Sequence, residues 1–169
     1  GDLGNQGIHQ MDVARWGLGE SGFGTSVVSA GGRLGYVDDG QTANTQIIIC
    51  SYPGGRRLVF EVRGLETGDY RGAKIGIVFE CEKGYLVIPS YSSATAFDPD
   101  GKAVRQFNGG GDHMRNFVDA VKARDKGVLH ADIEEGHVSS ALCHLGNISH
   151  RLGEARTVAK EAKPLGDDA

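Results

Sequence analysis

Apolar residues in the opening segment recur at helical spacing. Ile8, Met11, Ala14 and Leu18 are separated by 3, 3 and 4 positions, which places them on one face of a helix. Gly17, Gly19, Gly22 and Gly24 follow and predict its end. The period then shortens. Val27-Val28 and Ile47–Ile49 sit in strand-like runs, and Pro53-Gly54-Gly55-Arg56 is a turn signal that folds Ile47–Tyr52 back on Arg57–Arg63. Leu58, Phe60 and Val62 alternate with Val59, Glu61 and Arg63, so one side is expected buried and the other partly polar. Ile75, Ile77, Phe79 and Cys81 alternate likewise, and Lys83-Gly84 turns the chain into Tyr85–Ile88. Weaker strands are read over Ser92–Phe97 and Ala103–Phe107, on either side of Asp98-Pro99-Asp100-Gly101. Short turns between successive strands imply antiparallel pairing.

Helical spacing returns afterwards. Met114, Phe117, Val118 and Val121 form a stripe with Asp112 as N-cap. Asp132 and Glu135 have the spacing of a capping box ahead of Val138, Ala141, Leu142, Leu145, Ile148 and Leu152, with a stop at Gly153. One helix, a run of strands and two helices predict an α+β fold: an open, mainly antiparallel sheet with helices packed on one face. Residues 1–153 are read as one domain and residues 154–169 as a loose tail.

Composition narrows the picture. The chain has 169 residues, 39% hydrophobic and 24% charged, which suits one globular domain. A net charge of −4 gives no footprint for nucleic acid or an anionic membrane surface. No apolar run reaches the ~20 residues of a membrane span, and the N-terminus carries no signal-peptide pattern. A cytoplasmic setting is the default expectation. Cys50, Cys81 and Cys143 are read as buried free thiols, without disulfide or metal role.

The first helix also carries chemistry. Asn5, His9, Asp12 and Trp16 are spaced 4, 3 and 4. At 100° per residue they fall within about 60° of one another. An amide, an imidazole, a carboxylate and an indole thus share one stripe, either as a solvated face or as a binding site. A second polar stripe, His137, Ser140, His144, Asn147 and Arg151, lies on the last helix and is read as solvent-facing or as a contact surface.

The stretch Gly4-Asn5-Gln6-Gly7-Ile8-His9-Gln10-Met11-Asp12-Val13-Ala14-Arg15-Trp16 resembles the segment that opens the C-terminal domain of the Gfo/Idh/MocA oxidoreductases. Asp112–Val121 and Leu145–Gly153 are similar to that family's closing helices, so the resemblance covers nearly the whole chain. It implies a Rossmann domain preceding this chain, NAD or NADP bound there, a sugar-like small-molecule substrate, and a sheet face used for homo-oligomers. It also implies that His9 is the catalytic His, with Asn5 where many members have an Asp, and that Asp12 and His9 contact substrate. A carboxylate stabilises an imidazolium, whereas a neutral amide only orients the ring. The departure at Asn5 favours a His9 that hydrogen-bonds a substrate hydroxyl over one that carries a proton through turnover.

Two patterns mislead. Gly17-Leu18-Gly19-Glu20-Ser21-Gly22 spells the dinucleotide fingerprint, but a helix precedes it and a strand follows, the reverse of what pyrophosphate binding needs. Lys163-Pro164 matches the family's lysine-proline step but falls in the tail. No cofactor or metal site is expected in this chain, which is expected to be inactive alone. The leading expectation is the substrate-side domain of an NAD(P)-dependent oxidoreductase acting on a sugar, cyclitol or similar polyol. The alternatives are a non-catalytic binding or oligomerisation module and the corresponding domain of an NAD-dependent glycoside-cleaving relative.

Overall fold

The computed structural model describes residues 1–154. The tail expected after residue 153, with Lys163-Pro164, lies almost wholly outside them. The first helix, α1 (Gly7–Leu18), forms where the spacing predicts. Met11 is fully buried, and Ile8, Ala14 and Leu18 pack against the same core. Gly19 adopts the left-handed conformation (φ 69°) that ends α1, and its N–H caps the Arg15 and Trp16 carbonyls.

Seven strands follow among the described residues: β1 (Ser26–Gly32), β2 (Thr45–Ser51), β3 (Arg57–Arg63), β4 (Ile77–Cys81), β5 (Gly84–Ser90), β6 (Ser93–Phe97) and β7 (Ala103–Asn108). All pair antiparallel, in two sheets rather than the one expected, ordered β1-β2-β3 and β4-β5-β6-β7. The turn signals act as read. Pro53–Gly55 joins β2 to β3. Cys81 pairs with Gly84 across the Glu82-Lys83 loop. Asp98 closes the β6–β7 turn by accepting the Asp100 and Lys102 amides at 3.1 and 2.8 Å.

Alternation along β1–β3 separates two faces. Leu58, Cys50 and Val27 line up across the strands, as do Phe60 and Ile48, and these face the helices. Against them lie Leu3, Met11, Leu142 and Cys143, the last two from α3 (Ile133–Leu152). The opposite row, Val28, Ile49 and Val59, looks outward, with Val28 62% and Val59 54% exposed. Gly17 lies inside α1, where a Cβ would collide with the Phe79 ring. Glycine there lets α1 press onto β4 and span the two sheet sections.

Helix α2 (His113–Ala123) starts at its expected cap, with the Asp112 carboxylate accepting the Arg115 amide at 2.8 Å. Its apolar stripe faces out: Met114, Phe117, Val118 and Val121 are 43–70% exposed. The helix is held from its other side, where the Asn116 amide bonds the Val128 carbonyl and the His130 N–H at 2.8 and 3.0 Å. The three-stranded sheet β1–β3 is therefore covered by α1 and α3, and α1 reaches β4 of the second sheet. At the start of α3, Asp132 accepts the Glu134 amide at 3.0 Å. The reciprocal half of the expected capping box does not form, because Glu135 is taken by Arg15.

Cys50 and Cys143 are buried free thiols, and burial pushes each up to about 11. The expectation of burial fails at Cys81, which is exposed because it ends β4 at a hairpin with nothing packed over it. No described helix is long and apolar enough to cross a membrane.

Candidate functional site at the start of the first helix

Asn5 lies in the turn ahead of α1, its backbone N–H bonded to the Gly1 carbonyl at 3.1 Å, and its side chain is exposed. His9 is exposed on the first turns of α1. Its ring meets the Tyr91 ring edge-on, with centroids 5.8 Å apart and planes at 71°. Tyr91 belongs to the turn between β5 and β6 and is 71% exposed. Gln6 Nε2 donates to Tyr91 Oη at 2.8 Å and to Gln10 Oε1 at 3.3 Å. Two segments 85 residues apart thus meet around the imidazole.

Asp12 turns away from this group. Its Oδ1 accepts the Ser139 hydroxyl at 2.5 Å and lies 3.6 Å from Arg15 Nη2. Arg15 is the hub, at 2% exposure. Its Nε donates to Ser139 Oγ at 3.3 Å, its Nη1 to the Glu20 carbonyl at 2.9 Å, and its Nη2 to the Glu135 carboxylate. A buried guanidinium is tolerated only when its donors are matched in this way. The network pins α1 to α3 and so sets how His9 is presented. Trp16 is half exposed. The four stripe residues are therefore not gathered in one constellation: His9 joins Tyr91 and Gln6, while Asp12 joins Arg15 and Ser139.

Sequence reasoning missed Tyr91, Gln6 and the Arg15 hub. Arg15 had a signal, since it falls four positions after Met11 on the apolar side of α1. Tyr91 had none, because only tertiary folding brings its turn beside α1. Next to Tyr91 an open cleft of about 310 Å³ lies over the ends of β5, β6 and β7. Among the described residues, no three His, Cys, Asp or Glu side chains group as a metal site would require.

No family model matches the sequence, and no curated protein is similar to it. Solved structures match in fold. An oxidoreductase from Agrobacterium radiobacter, in complex with NAD+, L-tartaric acid and magnesium, superposes with a TM-score of 0.63 at 13% identity, over 90% of this chain and 47% of that one. The WlbA dehydrogenase from Bordetella pertussis, in complex with NADH and UDP-GlcNAcA, gives 0.58 at 15% identity, over 91% of this chain and 44% of that one. A UDP-N-acetylglucosamine 3-dehydrogenase from Acidithiobacillus ferrooxidans gives 0.59 at 14% identity, over 86% and 46%. The chain spans about half the length of the solved chains that it matches, and the shared part is their C-terminal domain. The fold is that of the C-terminal domain of Gfo/Idh/MocA-type oxidoreductases.

Proposed function

We propose that this chain is the substrate-side and assembly domain of an NAD(P)-dependent oxidoreductase of the Gfo/Idh/MocA type, acting on a sugar, cyclitol or similar polyol. The observation that carries the reading is the fold shared over about nine-tenths of the chain with oxidoreductases crystallised with NAD+ or NADH. A second, dinucleotide-binding domain would hold the cofactor, which would supply the hydride chemistry. This chain contributes the residues that hold the substrate against it.

His9 stands exposed at the start of α1, and in this reading it bonds the substrate hydroxyl at the junction of the two domains. Asn5, four positions earlier, orients without supplying charge. Asp12, expected beside the substrate, is instead turned to Ser139 and Arg15 and serves in this reading to hold α1 against α3. The outward stripe of α2 supports the same reading, since an amphipathic helix with its apolar side in water has surface to cover. So does the outer row Val28, Ile49 and Val59, which offers a face on which two copies pair by symmetry.

The test uses the full reading frame that contains this chain. Purified protein is expected to reduce NAD+ or NADP+ with at least one compound from a panel of sugars, cyclitols and nucleotide sugars. His9→Ala is expected to lower kcat/KM about a hundredfold, within the range lost with a general acid-base or substrate-orienting group. The isolated chain is expected to bind NAD(H) no tighter than millimolar by calorimetry. An active parent whose kcat/KM ignores His9→Ala refutes the role of the residue. A parent with no dinucleotide-dependent activity on the panel refutes the reading.

A further inference from the structure

We infer that residues 112–130, which carry α2, form a hinged flap that swings on Gly110 and Gly111 and lays the apolar stripe of α2 on the open face of β5–β7 in the same chain. The inference rests on the geometry of the glycine link and on two uncovered apolar surfaces, and it does not depend on the proposed function.

The hinge shows in what its glycines do not do. Gly109, Gly110 and Gly111 link β7 to α2. None of them has the left-handed φ that Gly19, Gly54 and Gly101 adopt, and a Cβ at any of them would meet nothing within 4 Å. Neither backbone conformation nor packing calls for glycine in this arrangement, while consecutive glycines lose the most conformational freedom on ordering. The need lies in a second arrangement, in which the link takes angles closed to other residues. Gly109 is tied down, since its N–H donates to the Ser92 carbonyl at 2.9 Å. The rotation therefore falls to Gly110 and Gly111.

The segment that swings is a unit. The Asn116 amide fastens α2 to the chain around the short helical turn Lys126–Val128, and α2 packs along no other described element. Asn116 points away from Met114, Phe117, Val118 and Val121 at 100° per residue. The flap can therefore move without losing its own packing, and its apolar stripe is free to meet a surface.

Strand register supplies that surface. Phe79 pairs with Leu86, Leu86 with Ala96, and Ala94 with Phe107. Paired residues point to one side, and every second residue along a strand shares it. Ile88, Ala94 and Phe107 thus lie on the face where Phe79 meets α1 at Gly17. Helix α1 reaches β4, and no described helix packs along β5, β6 or β7. The cleft lined by Ile88, Ala94 and Phe107 opens there, and Gly109 and Gly110 form part of its wall. The opposite face is taken, because Arg71 lies 3.8 Å over the Tyr85 ring and is bonded to Glu80 at 2.7 Å. A helix of 11 residues is about 16 Å long, close to the roughly 20 Å of the six-residue β7. Folded back along β7, α2 spans that strand. Its carboxyl end, the negative end of the helix dipole, then approaches the Arg105 guanidinium stacked on the Phe107 ring.

The test is nuclear magnetic resonance of the 169-residue chain with labelled methyl groups. The expected result is a set of nuclear Overhauser cross-peaks from the Met114, Val118 and Val121 methyls to the Phe107 ring and the Ala94 methyl. Gly110→Ala and Gly111→Ala meet no clash in the open arrangement, so both variants should fold. At least one of them should weaken these peaks roughly tenfold, the factor that a left-handed residue with a Cβ implies. A spectrum unchanged away from α2 shows that the variant is folded. Absence of the peaks in the unsubstituted chain overturns the inference, as does full intensity in both alanine variants. Peaks that cross between molecules, in a mixture of labelled and unlabelled chain, put the stripe on a second copy and overturn it too. So does a stripe that stays free in this chain and is protected only in the full reading frame, where the rest of the protein covers it.

Discussion

Removing the Ser139 hydroxyl is the sharpest probe of how α1 is held. Ser139 is 1% exposed, and its oxygen stands between Asp12 Oδ1 and Arg15 Nε. Ser139→Ala keeps the shape of the core and deletes two hydrogen bonds to charged groups, each worth ~1.5–3 kcal/mol. The two losses are unequal. Asp12 is 27% exposed, so its carboxylate recovers part of its solvation from water. Arg15 is 2% exposed, so Nε is left without a partner in a closed site. The expected cost is about 2–3 kcal/mol, which for a domain of this size lowers Tm by roughly 5–10 °C. Urea titration of the isolated chain should show a lower midpoint at an unchanged slope, the sign of lost stability without altered compactness. The partner variant Glu135→Gln should cost less, because Glu135 is 44% exposed. The double variant should fall short of the sum, since both changes act on one guanidinium. A Ser139→Ala loss under about 0.5 kcal/mol, in the range of an ordinary surface change, would show that the network does not hold α1.

Alkaline pH should destabilise the fold. Burial pushes the Cys50 and Cys143 thiols from 9.0 to about 11 and Tyr52 from 10.0 to about 12. All three are neutral when protonated, so the folded state holds their protons longer. Stability is full below pH 9 and falls between pH 9 and 11 as the unfolded chain ionises, by about 1.4 kcal/mol per pH unit for each thiol. Urea midpoints that stay flat through that window would contradict it. Tyr52 Oη is buried without a hydrogen-bond partner, so Tyr52→Phe should keep or raise stability by up to about 1 kcal/mol, measured by the same titration. Aromatic-disulfide reagents should label Cys81 at once and Cys50 and Cys143 only on unfolding; rapid labelling of all three would place the buried thiols at the surface. Val59→Glu, with the side chain 54% exposed on the outer sheet row, should abolish self-association in light scattering at little cost to stability. Unchanged association would move the interface elsewhere.

Local sequence determined the elements of this chain and most of their ends. The 3.6 and 2.0 periods of apolar positions and the turn residues Pro53-Gly54-Gly55, Lys83-Gly84 and Asp98–Gly101 are read within a few residues of themselves. The caps Asp112 and Asp132 are equally local. From these the α+β class and antiparallel pairing follow, as does the side of β3 that is buried. Sequence also placed His9 on the first turns of α1. Tertiary structure decided the company each residue keeps. Asp12 and His9 share a helix, but the first was drawn to Ser139 on α3 and the second to Tyr91 in a strand turn, partners 127 and 82 positions away by number. Glu135 fits a capping box locally, and a buried Arg15 holds it by an ion pair that no local pattern encodes. The stripe of α2 predicts an apolar face and is silent on what covers it, because periodicity specifies that a face is apolar and not what lies across from it.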